Sequence, residues 1–347
     1  MASGPISVTP AVSVFTGDAS QWDDSVKRLP GSTHCHRYGW KRVIEDVLGQ
    51  ECVYLGAAND SGDLDGVLPL VHVRSVLFGH YLISMPFLNY GGPLGDAEAV
   101  QRLVGEALGI ADRTGPKLFE LRSRTELPVA LPVSHRKITV VLDLPGGDSD
   151  TLWSQLGSKL RSQIKRPRKE GVEVRIGLDQ VDPFYRVFAR HMRDLGTPAL
   201  PRRFFHAIAE TFPQDVWFAC AYHRGQPVAG GAGFRWLGEF EVTWASALLE
   251  HKRLAPNMLV YWSLMEHAMA EGVATFNFGR CTPGGGTHKF KRQWGGRDEP
   301  LWWYHQPEEI ATPSPDDGRY AWGPRLWRHL PLSIATALGP RIVRGIP

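Results

Sequence analysis

The residues of this chain that could do chemistry are cations set among glycines and aromatics. From Arg280 to Arg297 the sequence reads RCTPGGGTHKFKRQWGGR, carrying Arg280, Lys289, Lys291, Arg292 and Arg297 with no acid before Asp298. Gly284, Gly285 and Gly286 free the backbone to approach a ligand or to take positive φ. Backbone amides plus convergent cations grip an anionic group. Phe290 and Trp294, four residues apart, would pin this strand or turn, with Lys289 and Lys291 alternating around it. A second basic run, SKLRSQIKRPRK at 158–169, holds Lys159, Arg161, Lys165, Arg166, Arg168 and Lys169 and no acid. On a helix, Arg161, Lys165 and Arg168 share one face. Both runs also admit a plainer reading, as a solvated helix face and a basic surface loop.

Several familiar chemistries find no support. There is no H-E-x-x-H, no G-x-S-x-G and no zinc-spaced Cys/His set. Gly284-Gly-Gly runs into Thr287-His288-Lys289, which does not fit the phosphate loop G-x-x-x-x-G-K-S/T. His34-Cys35-His36 has no further metal ligand nearby in sequence and precedes an amphipathic helix containing Trp40, Val43, Ile44 and Val47, so no metal is expected. The four cysteines, Cys35, Cys52, Cys220 and Cys281, show no paired spacing. They read as free thiols in a reducing compartment.

Two stretches share one order of elements, which would position these groups. In the first, strands over 53–58, 66–74 and 81–87 precede a helix over 97–114, whose apolar residues recur at helical spacing, and then a strand over 118–122. In the second, strands over 216–222, 227–235 and 239–245 precede a helix over 257–271, with Pro256 at its start, and a strand over 275–278 that runs into Gly279-Arg280. Arg122 thus corresponds to Arg280, and the segment Asn89-Tyr90-Gly91-Gly92-Pro93 fills the strand-to-helix loop of the first half. Basic residues after a strand's C-terminal end lie where open α/β sheets place ligands. A linker or strand is expected over 124–142, and helices over 151–169 and 183–195. The expected class is α/β (α+β), with mixed, largely antiparallel sheets flanked by helices. The expected units are 1–135, 136–310 and a Pro/Arg/Trp-rich tail, 311–347.

The 347 residues allow two domains. With 43% hydrophobic and 22% charged residues, the composition is that of a globular protein, and the formal net charge of +3 names no partner. No 18-residue apolar run offers a membrane span, and residues 1–10 lack the basic and apolar regions of a secretory signal. A cytoplasmic location follows. The tail carries Arg319, Arg325, Arg328, Arg341 and Arg344 among Trp322, Trp327, Leu330, Leu332, Ile334, Leu338, Ile342 and Val343, with no acid from 319 onward. That mixture suits the inner face of an anionic bilayer; alternatively the tail packs over the domain with its arginines outside. Pro324, Pro331 and Pro340 divide it into short pieces.

Tyr90-Gly-Gly-Pro93, Pro256-Asn257 with Tyr261-Trp262, Phe276-Asn-Phe-Gly-Arg280 and Phe290-Lys-Arg-Gln-Trp-Gly295 together resemble the FemAB-type branch of the GNAT acyltransferase superfamily. Within it they are most similar to FemAB-related proteins of bacterial exosortase/PEP-CTERM exopolysaccharide systems. The resemblance covers about residues 35–305 and, through Leu330-Pro-Leu and Gly339-Pro340, the tail. It implies tandem GNAT-like domains and transfer of an activated acyl or aminoacyl group to an amine, without a covalent enzyme intermediate. Relatives that modify peptidoglycan take aminoacyl-tRNA as donor and a muramyl-peptide precursor as acceptor. Lys291 matches the Lys of the FK motif and Arg280 the Arg of FGR, so the pair would hold phosphates or stabilise an oxyanion. Asn277 stands where the subgroup often has Asp. Superfamily members that use acetyl-CoA carry Q/R-x-x-G-x-G/A before the long helix; here Arg253-Leu-Ala-Pro256-Asn-Met258 stands there, and Pro256 has no amide hydrogen to offer.

The candidate site is therefore Lys291 and Arg280, with Glu241 and His288 as alternative general bases. Tyr90, Gly91, Gly92, Arg122, Asn257, Tyr261, Gly285 and Lys289 are substrate-binding candidates. Lys159, Arg161 and Lys165 would steer a polyanion, either charged tRNA or a lipid-linked pyrophosphate acceptor. No tightly bound cofactor is expected; the donor is a co-substrate, aminoacyl-tRNA or acyl-CoA. Three functions stay open: an acyl or aminoacyl transferase on a cell-envelope precursor, an acyl-CoA-dependent N-acyltransferase on a sugar, sugar nucleotide or exopolysaccharide unit, and a non-catalytic partner of a polysaccharide or export machine.

Overall fold

The computed structural model describes residues 12–146, 148–307 and 322–346. The N-terminal residues read for a signal, and Arg319 of the tail, lie outside them. The chain forms two mixed sheets flanked by helices, as the repeated order of elements requires. In the first sheet the long hairpin Glu51–Ala58 with Leu64–Ser75 leads to Gly79–Ile83, which pairs in parallel with Leu118–Ser123. The crossover is the helix Ala97–Thr114, started by the Asp96 carboxylate on the Ala99 amide and stopped by Gly115 in the left-handed region. Its Val100, Leu103, Val104, Ala107 and Ala111 pack on Leu55, Leu68, Leu82 and Phe119.

The second sheet repeats the plan. The meander Val216–His223, Gln226–Trp236 and Glu239–Ala247 is followed by the helix Pro256–Ala270 and the parallel strand Thr275–Cys281. This helix is buried on nearly every side, among residues of both the sheet and the preceding helices.

Several expectations need correction. The region 151–169 is two helices, Ser149–Gln155 and Ser158–Lys169, because Gly157 takes an extended conformation between them. For 124–142, read as a linker or strand, the strand alternative holds: Ile138–Asp143 is an inner strand of the second sheet, paired with Thr275–Cys281 and Arg297–Pro300. The strand read at 81–87 ends at Ile83. After residue 300 the chain returns to the first sheet, where Trp302–Gln306 pairs with Leu118–Ser123. The tail forms two short helices, Trp322–Trp327 and Leu332–Val343. Among the described residues, no helix is long and apolar enough to cross a membrane.

Candidate active site

The parallel strands Glu239–Ala247 and Thr275–Cys281 pair only over residues 239–241 with 275–277. Beyond Glu241 they part. A register shift between Asn277 and Arg280 turns the second strand away, and Gly279, at φ +74°, makes the turn. A Cβ at Gly279 would run into the carbonyl of Val242, so no other residue fits. The wedge left between the strands is a cleft of about 470 Å³, floored by Val242, Thr243 and Phe278 and closed by Asn257 and Tyr261 of the long helix.

Polar groups around this cleft lack partners. The Arg280 guanidinium lies 5.0 Å over the Trp303 ring, and its Nη1 is buried with no hydrogen bond. Burial, and then the neighbouring Arg122, pull its pKa down to about 10, so it remains a cation at neutral pH. Thr243 Oγ1 and His191 Nδ1, which also line the cleft, are buried and unpartnered too. Burial holds the His191 imidazole below its usual pKa, so it stays neutral. Unpartnered buried polar atoms are costly. Three of them on one cavity call for a polar group, ordered water or ligand, that completes them.

Lys291 sits among them, 4% exposed. The segment 280–297, expected as a strand or turn, contains the helix Gly286–Arg292. The spacing of Phe290 and Trp294 is therefore a helical one: both rings pack on Tyr261, and the same turn directs Lys291 inward while Lys289 is exposed. Lys291 Nζ donates to the carbonyls of Gly279, at 2.6 Å, and Arg280, at 3.0 Å. An ammonium has three donors, which leaves one for the cleft. Burial pushes its pKa down to about 8.

Behind the cleft lies a buried network that holds the strands at their parting point. Asn277 accepts from Thr139 Oγ1 at 2.5 Å and from the Gly279 amide at 2.8 Å, and donates to Tyr90 Oη at 2.9 Å and Glu239 at 3.0 Å. Every hydrogen-bonding position of this amide is used, and a carboxylate would meet Glu239 with like charge. Glu241 accepts from Asn89 Nδ2 and Tyr90 Oη and lies 3.6 Å from His34 Nε2. Burial would raise the Glu241 carboxyl, but the hydrogen bonds and charge of His34, with Tyr90 and Asn89, hold it below its usual pKa. His34 in turn is raised to about 10: burial opposes its charge, and Cys35 and Glu241 more than offset that.

Of the two candidate bases, Glu241 thus braces the interface between the halves, 1% exposed, and does not line the cleft. His288 accepts from the Gly284 amide and bonds Asp298, at 3.0 Å each, fixing the glycine loop. Tyr90 is buried, and the Gly91 and Gly92 amides are used on the Arg122 carbonyl, at 3.1 and 2.8 Å. Arg122 is buried too, with Nε on Glu120 at 2.7 Å and Nη1 on the Pro86 carbonyl at 2.6 Å. Gly285, with Lys137, Cys281 and Thr287, lines a smaller hollow of about 250 Å³ that shares Arg280 with the cleft. His191, Thr243 and Trp303 carry no sequence signal, because their importance lies in what they face across the fold.

The helix Ser158–Lys169 buries Leu160, Ile164 and Pro167 and turns its other side outward. Arg161, Lys165 and Lys169 line a groove of about 400 Å³, with Glu170 at its end. Lys159 is exposed beside it. Arg168, expected on the face of Arg161 and Lys165, pairs instead with Glu266 at 3.1 Å. Arg166 Nη1 reaches the Arg253 carbonyl, at 3.2 Å, just before the long helix. The basic groove is thereby anchored beside the cleft's Lys252 and Pro256 edge.

Residues 157–292 match the family model of the acetyltransferase (GNAT) domain. No curated protein matches the sequence. Among solved structures, that of FemX superposes with a TM-score of 0.63 at 13% identity, covering 84% of this chain and 96% of that one. L-PGS from Bacillus licheniformis gives 0.57 at 12% identity, covering 90% and 98%. The C-terminal domain of a proposed lysylphosphatidylglycerol synthetase from Agrobacterium fabrum gives 0.57 at 14%, covering 84% and 92%. Residues 157–292 are thus similar in sequence to the GNAT acetyltransferase domain, and the chain as a whole, with its two mixed sheets, shares its fold with FemX.

Proposed function

We propose that the protein transfers an activated acyl or aminoacyl group to an amine of a cell-envelope precursor. The observation that carries this reading is the cleft between the parted strands, where Arg280, Thr243 and His191 present unpartnered polar atoms beside Lys291. The donor ester is already activated, so positioning and charge stabilisation suffice. The acceptor nitrogen attacks the donor carbonyl, the carbon–nitrogen bond forms, and the carbonyl oxygen takes the negative charge. Arg280 Nη1 and the third Lys291 hydrogen stabilise that oxygen. On collapse the donor's carbon–oxygen bond breaks, and the leaving hydroxyl gains the proton that the amine loses.

A charged tRNA suits the donor side, because the basic groove of Arg161, Lys165 and Lys169 lies beside the cleft and would track a phosphate backbone. Acyl-CoA suits it less well. Pro256 offers no amide at the helix start, and the Ala255 and Met258 amides are used within the chain. An envelope acceptor is supported by the resemblance to peptidoglycan-modifying relatives and by a neighbour named for synthesis of lysylphosphatidylglycerol, itself a lipid. Mass spectrometry of envelope precursors from cells with and without the protein tests the reading. A precursor heavier by one acyl or aminoacyl unit is expected only with the active chain, and unchanged precursors with Lys291→Met and wild type alike would refute it.

A further inference from the structure

The exposed apolar side chains of this protein are not scattered. Among the described residues, six of the twelve large ones lie at one hairpin tip or in the C-terminal segment: Val76, Leu77, Leu326, Ile334, Leu338 and Ile346. Val76 is fully exposed and Leu77 is 74% exposed, at the turn between Leu64–Ser75 and Gly79–Ile83. The turn is built rather than slack. Ser75 Oγ accepts from the Leu77 and Phe78 amides, at 3.3 Å each, and Tyr81 Oη donates to the Phe78 carbonyl at 2.7 Å.

The tail ends against this hairpin. Gly345 packs on Ser75 so closely that a Cβ there would fall 2.5 Å from its Oγ. Gln50 Nε2 holds the Arg344 carbonyl at 2.8 Å and the Arg74 carbonyl at 3.2 Å, tying both segments to one point. On the helix Leu332–Val343, Ile334, Leu338 and Arg341 fall at helical spacing on the exposed side, while Ala335 and Gly339 face inward. The described tail carries Arg325, Arg328, Arg341 and Arg344 and no acid, and Lys117 reaches the hairpin at the Phe78 carbonyl. Exposed apolar side chains together with arginines of the same segment match an anionic bilayer in both polarity and charge.

We infer that the 75–78 hairpin tip and the C-terminal helix together form a docking surface for an anionic phospholipid bilayer. It holds whatever group the cleft transfers. The test is sedimentation of the full chain with vesicles of phosphatidylcholine containing about a quarter phosphatidylglycerol, alongside vesicles of phosphatidylcholine alone. Binding is expected to the anionic vesicles, to weaken with salt, and to fall about tenfold or more in the V76D/L77D variant. Both substituted side chains are exposed, so the melting temperature should not move. The inference is overturned if the wild type ignores anionic vesicles, if it binds neutral ones equally well, or if V76D/L77D binds as tightly. It is also overturned if the same variant instead abolishes a concentration-dependent dimer, which would make the surface a contact between copies.

Discussion

The two halves part their strands in the same way and fill the gap differently. In the first, residues 81–83 pair in parallel with 118–120; in the second, 239–241 pair with 275–277. Beyond the first pairing the chain plugs its own gap. The Ser84 amide bonds the Glu120 carbonyl, Ser84 Oγ takes the Arg122 amide, and Gly91 and Gly92 cap the Arg122 carbonyl. Beyond the second there is an open cleft. The corresponding arginines show the consequence. Arg122 is paired with Glu120, whereas Arg280 keeps a bare Nη1, and both lie over the ring of Trp303. One copy of the unit has become a brace, lending Asn89, Tyr90 and His34 to hold the other's strands apart. The open cleft, with Lys291 and the bare Nη1 of Arg280 beside it, is what makes the second half the proposed ligand-binding one.

The sharpest way to break this comparison is to neutralise the cations of each half. Arg280→Met should lower turnover about 10²–10³-fold, the cost of losing an oxyanion donor, without lowering the melting temperature. Lys291→Met should lower turnover as much and also cost about 1–3 kcal/mol of stability, because the Gly279 and Arg280 carbonyls lose their donor. Arg122→Met should do the opposite of Arg280→Met, destabilising the fold by about 3 kcal/mol through a broken buried pair while folded protein keeps its turnover. Turnover and thermal melts on the three variants check this; equal turnover losses for Arg122→Met and Arg280→Met would erase the distinction.

Next in size is the turn that opens the cleft. Gly279→Ala should cost about 3 kcal/mol, because positive φ and the Val242 carbonyl both oppose a Cβ. Chemical denaturation measures it. Asn277→Asp follows, at about 2 kcal/mol. The new carboxylate would lose both donated bonds and face Glu239. Because the cost comes from charge, it should be largest at neutral pH and relieved as pH falls toward the carboxylate range. A melt series across pH would detect a pH-independent cost, which would rule that cause out.

The pH profile of turnover sharpens the role of Lys291. Its pKa lies below the ordinary lysine value, at about 8, so the ammonium predominates below that pH and is lost above it. Turnover relative to a Lys291→Arg variant should fall about tenfold per unit above pH 8, since the guanidinium keeps its charge. The acceptor amine's own titration cancels in the ratio. A flat ratio would show that Lys291 need not be charged.

Much of this was legible in the residues, and its limits were physical. The helix Ala97–Thr114 announced itself through its apolar stripe, and Arg280 and Lys291 stood out as cations without acids around them. The pairing of Trp302–Gln306 with the first sheet did not, because a strand's alternation says nothing of which sheet it joins. Glu241 read as a candidate general base, since its partners Asn89, Tyr90 and His34 come from the first half, far earlier in sequence. Lys291 read as part of a strand or turn because the Gly284–Gly286 triplet hides the start of a seven-residue helix.

The smallest expected effect concerns the outer surface, and here too the halves differ. On the crossover helix of the first half, Arg102 and Arg113 are paired with Asp65 and Glu106. The long helix of the second half is instead crossed by Ser158–Lys169, whose Arg161, Lys165 and Lys169 line an open groove. Exposed charges of this kind add little to stability, so Lys165→Glu with Lys169→Glu should leave the melting temperature unchanged. Each lost phosphate contact should lower the slope of log affinity against log salt by about 0.7–0.9. Binding of charged tRNA at low salt should weaken about three- to tenfold, while the first-half pair Arg102→Glu and Arg113→Glu changes neither slope nor affinity. Equal effects from both pairs would mean that the polyanion is drawn by overall charge, and that the groove has no part in placing the donor's end in the cleft.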